Sequence, residues 1–191
     1  VEAAEKRENG SNFTLDEHVR GLVLSLLSNQ RKWIDIVKKI DKINEVFFNY
    51  DPVKLESCDT KELLNQVLGI KCGNRSIEKQ MEYLPYNIRL FRKIEKDFGN
   101  MDKFVTNGSA EEVANLLSKE KSKYKIKMMG FALAMEYLKS VGIRGMKPDT
   151  HIIRICGPER LNIIPATNPE KQLIEFKKFA EATNVSSTYL D

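Results

Sequence analysis

Gly145-Met146-Lys147-Pro148-Asp149-Thr150-His151-Ile152-Ile153-Arg154 is the stretch whose reading decides the fold. A proline precedes one carboxylate, Asp149, which opens a short apolar helix expected over 149–156. Upstream lies a lysine-rich turn into another helix, Lys125-Ile126-Lys127-Met128-Met129-Gly130. Backbone amides at such a turn can hold a phosphate. A phosphate-holding turn followed by a lone carboxylate points to chemistry on nucleic acid. The basic segment would position the strand, and Asp149 would act on a nearby nucleotide. Taken alone, Asp149 also reads as a plain N-cap of the helix carrying Ile152 and Ile155, worth about 1 kcal/mol.

Working outward, 191 residues suffice for one substantial core or two small lobes. Charged residues at 30% and apolar residues at 41% describe a folded chain, not a disordered one. No apolar run approaches the roughly 20 residues a membrane span needs, and no signal-peptide pattern opens the sequence. Net charge is only +4, but Lys119, Lys121, Lys123, Lys125 and Lys127 crowd one segment. A lysine run is commonly a solvated loop; its place before the turn favours phosphate contact. Cys58, Cys72 and Cys156 match no zinc or iron–sulfur spacing, and two histidines are too few for a histidine-based metal site. Sparse, odd cysteines suggest a reducing compartment, such as a cytoplasm, nucleoid or nucleus.

Helical periodicity dominates and strand signals are nearly absent. Thr14 and Glu17 form a capping box ahead of Val19, Leu22, Val23, Leu26 and Leu27, and this helix ends near Ser28-Asn29-Gln30. Residues 31–49 hold one or two helices with Trp33, Ile36, Val37, Ile40 and Ile43 facing inward. Asp51-Pro52 opens a short turn or helix, and Asp59 or Thr60 caps one through Leu63, Leu64, Val67 and Leu68. Residues 75–84 are helical, Pro85 interrupts or restarts the helix, and 86–98 continue to Gly99-Asn100. Ser109 and Glu112 start a helix over 110–119. Others are expected at about 130–141 and at 169–183, the latter with Pro169 in its first turn. Ser186 or Ser187 caps a last one. The count is about ten helices.

Three segments then line up in order: Leu26-Leu27-Ser28-Asn29-Gln30, the turn into Gly130-Phe131-Ala132-Leu133-Ala134, and Lys147-Pro148-Asp149-Thr150-His151-Ile152-Ile153-Arg154. Together they resemble the helix–hairpin–helix DNA glycosylase superfamily, endonuclease III-like and 3-methyladenine glycosylase-like, without an iron–sulfur cluster. The resemblance covers about residues 13–190, although only these segments are specific. It implies an all-α, two-lobed helix–hairpin–helix DNA glycosylase fold with DNA in the cleft between lobes. One lobe would combine 1–30 with 126–191, and the other would be 31–125.

By the match, Asp149 is the catalytic carboxylate and Gln30 is inserted where the base leaves the duplex. The hairpin at 127–130 holds backbone phosphate, with Lys125, Lys127, Met128, Gly130 and His151 as DNA contacts. The chemistry agrees. Breaking an N-glycosidic bond develops positive charge on the sugar, which a fixed carboxylate stabilises while orienting water. The target base must first be flipped out, at a cost of a few kcal/mol. Gln30 also reads simply as an exposed helix end, and His151 as a structural residue. Trp33, Tyr83, Tyr86 and Phe131 are pocket candidates for a stacked base, although each such aromatic is more often a core residue.

Two departures from the family bear on mechanism. Its usual Leu-Pro-Gly-hydrophobic-Gly turn reads Ile126-Lys127-Met128-Met129-Gly130 here, so lysine and methionine replace proline and the first glycine. The bacterial 3-methyladenine enzymes have a similarly altered turn, which favours alkylated purines. Bifunctional relatives carry a lysine nucleophile two residues after the second hairpin glycine, where this chain has Ala132. The expectation is therefore a monofunctional, monomeric, cofactor-free and metal-free glycosylase. Its partner would be double-stranded DNA containing a damaged base, with no membrane. Alternatives are a non-catalytic damage-binding protein of the same fold and a bifunctional glycosylase with an unconventional lysine.

Overall fold

A computed structural model of the chain describes residues 2–145, 154–164 and 169–184. Asp149, His151 and the cap at Ser186 or Ser187 lie outside the described residues. Residues 1–143 form one compact unit and 144–191 another. Among the described residues every regular element is helical, as the periodicity predicts.

In the first unit the order is α1 (Glu2–Glu8), α2 (Leu15–Leu27), α3 (Trp33–Val37), α4 (Ile40–Val46), a 3-10 turn (Phe48–Tyr50), α5 (Pro52–Ser57), α6 (Thr60–Gly69), α7 (Ile77–Phe98), α8 (Met101–Val105), α9 (Ala110–Ser118) and α10 (Phe131–Ser140). Local chemistry sets most starts. Thr14–Glu17 and Ser109–Glu112 make complete capping boxes. Asp51 caps α5 with Pro52 behind it, Asp59 caps α6, and Asn100 caps the unexpected α8. Gly99, at φ 91, ends α7.

Two expectations need correction. Pro85 does not interrupt α7, which starts at Ile77 and runs unbroken to Phe98. The proline forgoes one backbone bond, but Met81, Leu84, Pro85 and Ile88 are all buried, and that packing outweighs the local penalty. Trp33 and Val37 do not face inward. They are 49% and 42% exposed, while Ile36 and Ile43 are fully buried. A five-residue helix makes little more than one turn, so α3 sinks one side chain into the core.

The core is continuous across α2, α7, α8, α9 and α10, with Leu22, Leu26, Phe91, Phe104, Tyr137 and Met135 among its fully buried side chains. α10 lies against α9 and α2, and α7 against α2, α5, α6 and α8. Gly21 lets α10 approach α2: a Cβ there would collide with Ser140 Oγ. In the second unit residues 154–156 are helical, Ile164 N–H bonds the Cys156 carbonyl at 2.8 Å, and α11 (Pro169–Thr183) follows.

Candidate nucleic-acid interface

The hairpin is built onto the end of α9. Ile126 N–H donates to the Leu117 carbonyl at 2.9 Å, and Met129 N–H donates to the Ile126 carbonyl at 3.4 Å, closing a four-residue turn. Lys127 and Met128 are its central pair. Met128 has φ 63, the left-handed conformation for which such turns ordinarily select glycine. The backbone therefore keeps the shape of the glycine turn with a methionine in it. Ile126 and Met129 are buried beneath. Tyr124 stacks edge-on with Phe98 and Phe104, and its hydroxyl donates to Asp97 at 2.8 Å.

Past the turn, Gly130 is the N-cap of α10, and no side chain caps this end. Its φ of −88 suits any residue, and a Cβ on it would meet nothing within 4 Å. Neither backbone conformation nor packing among the described residues requires glycine there. What glycine adds is close access to the first amides of α10, an electropositive helix end. Phe131 and Ala132 follow, both half-buried.

The lysines of this segment divide. Lys125 Nζ donates to the Met129 carbonyl at 2.6 Å and lies 3.5 Å from Glu120, so it braces the turn. Lys123 pairs with Asp97 at 3.3 Å. Lys127 is half-buried on the turn and Lys121 is exposed. The solvated-loop reading thus fits part of the run, and two members carry structural contacts.

The second segment lies at the end of α2. Gln30 is exposed at φ 58. It borders a cleft of about 670 Å³ lined by Gln30, Arg31, Lys32, Asp35, Gly73, Asn74 and Arg75. Three cations face one carboxylate there, a balance that suits a polyanion. Arg31 is spoken for by the Gly73 and Lys71 carbonyls. Asn74 Nδ2 donates to the Leu26 carbonyl and to Gln80 Oε1, each at 3.0 Å, joining the 71–76 loop to the end of α2. Trp33 stands exposed next along the chain from this cleft.

α7 ties the two segments together. Gln80, fully buried, holds Asn74 beside the Gln30 turn, and Asn87, fully buried, holds the hairpin at Lys127. They lie two turns apart on one face, roughly 10 Å at about 1.5 Å per residue. Tyr83, half-buried, falls between them along the helix, while Tyr86 is 43% exposed. Sequence reading missed Asn87, Gln80, Asn74, Arg31 and Arg75. A sign of the first two was present: the stripe Ile77, Met81, Leu84, Ile88, Phe91 takes Gln80 and Asn87 into the interior, where polar groups need partners. Asp149 and His151 lie outside the described residues, and Arg154 is exposed. Among the described residues no three histidine, cysteine or acidic side chains gather as a metal site, and no helix is long and apolar enough to cross a membrane.

No family model matches the chain, and no curated protein matches it by sequence. Solved structures do. An 8-oxoguanine DNA glycosylase from Methanocaldococcus jannaschii superposes with a TM-score of 0.67 at 20% identity, over 100% of this chain and 80% of that one. The 3-methyladenine DNA glycosylase I of Staphylococcus aureus superposes with a TM-score of 0.54 at 18% identity, over 70% of this chain and 79% of that one. At such identities what is shared is architecture. The chain has the all-helical fold of the DNA glycosylases.

Proposed function

We propose that this chain is a DNA glycosylase of base excision repair that flips out a damaged base and hydrolyses its N-glycosidic bond. The observation that carries the reading is the hairpin: a turn held left-handed at Met128, leading through an exposed glycine into an uncapped helix, within a glycosylase fold. In this reading the α10 amides, with Lys127, hold a phosphate of the strand. Gln30, projecting from its left-handed turn beside a cationic cleft, fills the gap in the duplex. Asp149 stabilises positive charge on the sugar and orients water. Ala132 stands where a lysine nucleophile would be, which supports water as the attacking group and an intact strand as product. Exposed Trp33 and half-buried Tyr83 offer ring faces to a flipped base, and an electron-poor alkylated purine gains most from them.

The test is base release from duplexes bearing 3-methyladenine, 7-methylguanine, hypoxanthine, uracil, thymine opposite guanine, or 8-oxoguanine, with wild type and Asp149→Asn. Expected are release by wild type alone and strand breaks only after alkali. Breaks before alkali, with a borohydride-trapped adduct, would replace the hydrolytic mechanism by a lyase. Salt-sensitive duplex binding without release of any base would favour a damage-binding protein.

A further inference from the structure

Asn87 lies in the middle of α7 and is fully buried, where a leucine would ordinarily serve the core. Its carboxamide spans the backbone of one residue: Oδ1 accepts the Lys127 N–H at 2.9 Å, and Nδ2 donates to the Lys127 carbonyl at 3.1 Å. Two bonds to one residue fix both its position and its rotation. Lys127 is the second residue of the Ile126–Met129 turn, directly before left-handed Met128.

A turn of this kind is self-sufficient when its central pair is proline then glycine. Proline presets the first φ, and glycine takes the positive φ at no steric cost. Lys127-Met128 has neither property, and a left-handed non-glycine residue costs roughly 1–2 kcal/mol. The turn must be held from outside. We infer that Asn87 is a positioning residue: its two-point clamp on Lys127 takes the place of proline–glycine stiffness and keeps the hairpin in its phosphate-receiving shape before DNA arrives. The role of the hairpin in DNA binding rests on the function proposed above; the clamp itself does not.

The experiment compares wild type, Asn87→Ala, Met128→Gly and the double variant. Two readouts are taken at a temperature where all four are folded by circular dichroism. One is affinity for an undamaged duplex by fluorescence anisotropy across a salt series. The other, without DNA, is hydrogen exchange at the Met129 amide, whose bond to Ile126 closes the turn. Asn87→Ala is expected to weaken binding about tenfold and to speed Met129 exchange by about as much, since two hydrogen bonds to the turn are lost. The cost of Asn87→Ala, in binding and in exchange, should be far smaller in the Met128→Gly background than in the wild-type background, because glycine removes the strain that the clamp opposes. A general packing role for Asn87 would not be rescued at position 128. If Asn87→Ala does not fold, Asn87→Asp carries the same test: its carboxylate keeps the acceptor for Lys127 N–H and lacks the donor. Unchanged Met129 exchange, or a binding loss that Met128→Gly leaves uncorrected, overturns the inference. Wild type that binds no duplex would overturn the hairpin's DNA role instead, while the exchange readout still decides the clamp.

Discussion

At the scale of single residues, the hairpin separates what the fold demands from what a ligand demands. Met128 takes a left-handed conformation that suits glycine, so the turn holds this shape without a glycine in it. Gly130 is the reverse case: a glycine where neither φ nor space among the described residues calls for one. A phosphate approaching the first amides of α10 would call for it. Gly130→Ala is therefore expected to leave stability within about 0.5 kcal/mol of wild type, as a surface substitution free of clashes does. Its duplex affinity should fall severalfold. Thermal melts and anisotropy on the same preparations check both halves. Unchanged affinity would remove Gly130 from the interface, and a large stability loss would mean that the fold needs it after all.

At the scale of elements, helix starts were the most legible features, because a cap is a bond between residues two or three apart. Thr14–Glu17, Ser109–Glu112, Asp51-Pro52 and Pro169 each announce a helix by local chemistry, and each helix is present. Pro85 and Trp33 misled because tertiary packing, invisible to a local window, decides whether a kinking residue is absorbed or an aromatic one buried. The candidate interface was legible to the same degree. The place of the hairpin and its two substitutions could be read along the chain, whereas the Asn87 clamp joins residues forty apart. The α9–hairpin junction gives this a consequence. The hairpin hooks onto the C-terminal end of α9 through Leu117, while the capping box secures the opposite end. Ser109→Ala should cost about 1 kcal/mol in urea unfolding and leave duplex affinity unchanged. A parallel loss of affinity would show that the two ends of α9 act as one unit.

At the scale of the molecule, a buried polar cluster joins α1, α2, α8 and α10 of the first unit. Arg7 makes two bonds to Asp102, at 2.6 and 3.1 Å, and also donates to the Val141 carbonyl at the end of α10. Asp102 accepts the Phe13 N–H and lies 3.4 Å from His18 Nε2, which makes no hydrogen bond among the described residues. His18 Nδ1 and the Tyr137 hydroxyl lie 2.7 Å apart; because the Asp102 carboxylate faces Nε2, a neutral ring keeps its proton there and accepts from the hydroxyl at Nδ1. Burial depresses His18 from 6.5 to about 4; Asp102 opposes the shift and Arg7 adds to it. Burial would raise Asp102, but the bonds and charge of Arg7 with the Phe13 amide hold it below its usual value. The sign follows from proton uptake. Between about 4 and 6.5 the unfolded chain binds a proton at His18 that the folded chain does not, so stability complete above 6.5 drains away as pH falls. The slope is about 1.4 kcal/mol per pH unit and the full loss about 3 kcal/mol; the loss from Asp102 begins in the usual carboxylate range, where the unfolded chain takes up its proton, and ends below it. Urea unfolding of wild type and His18→Gln at pH 7.5, 6 and 5 isolates the histidine, since every other titrating group is common to both. The wild-type curve should fall more steeply, closing or reversing its lead over the variant toward pH 5. Parallel curves would mean that His18 is protonated as readily in the fold as in the unfolded chain, and that the cluster holds an imidazolium.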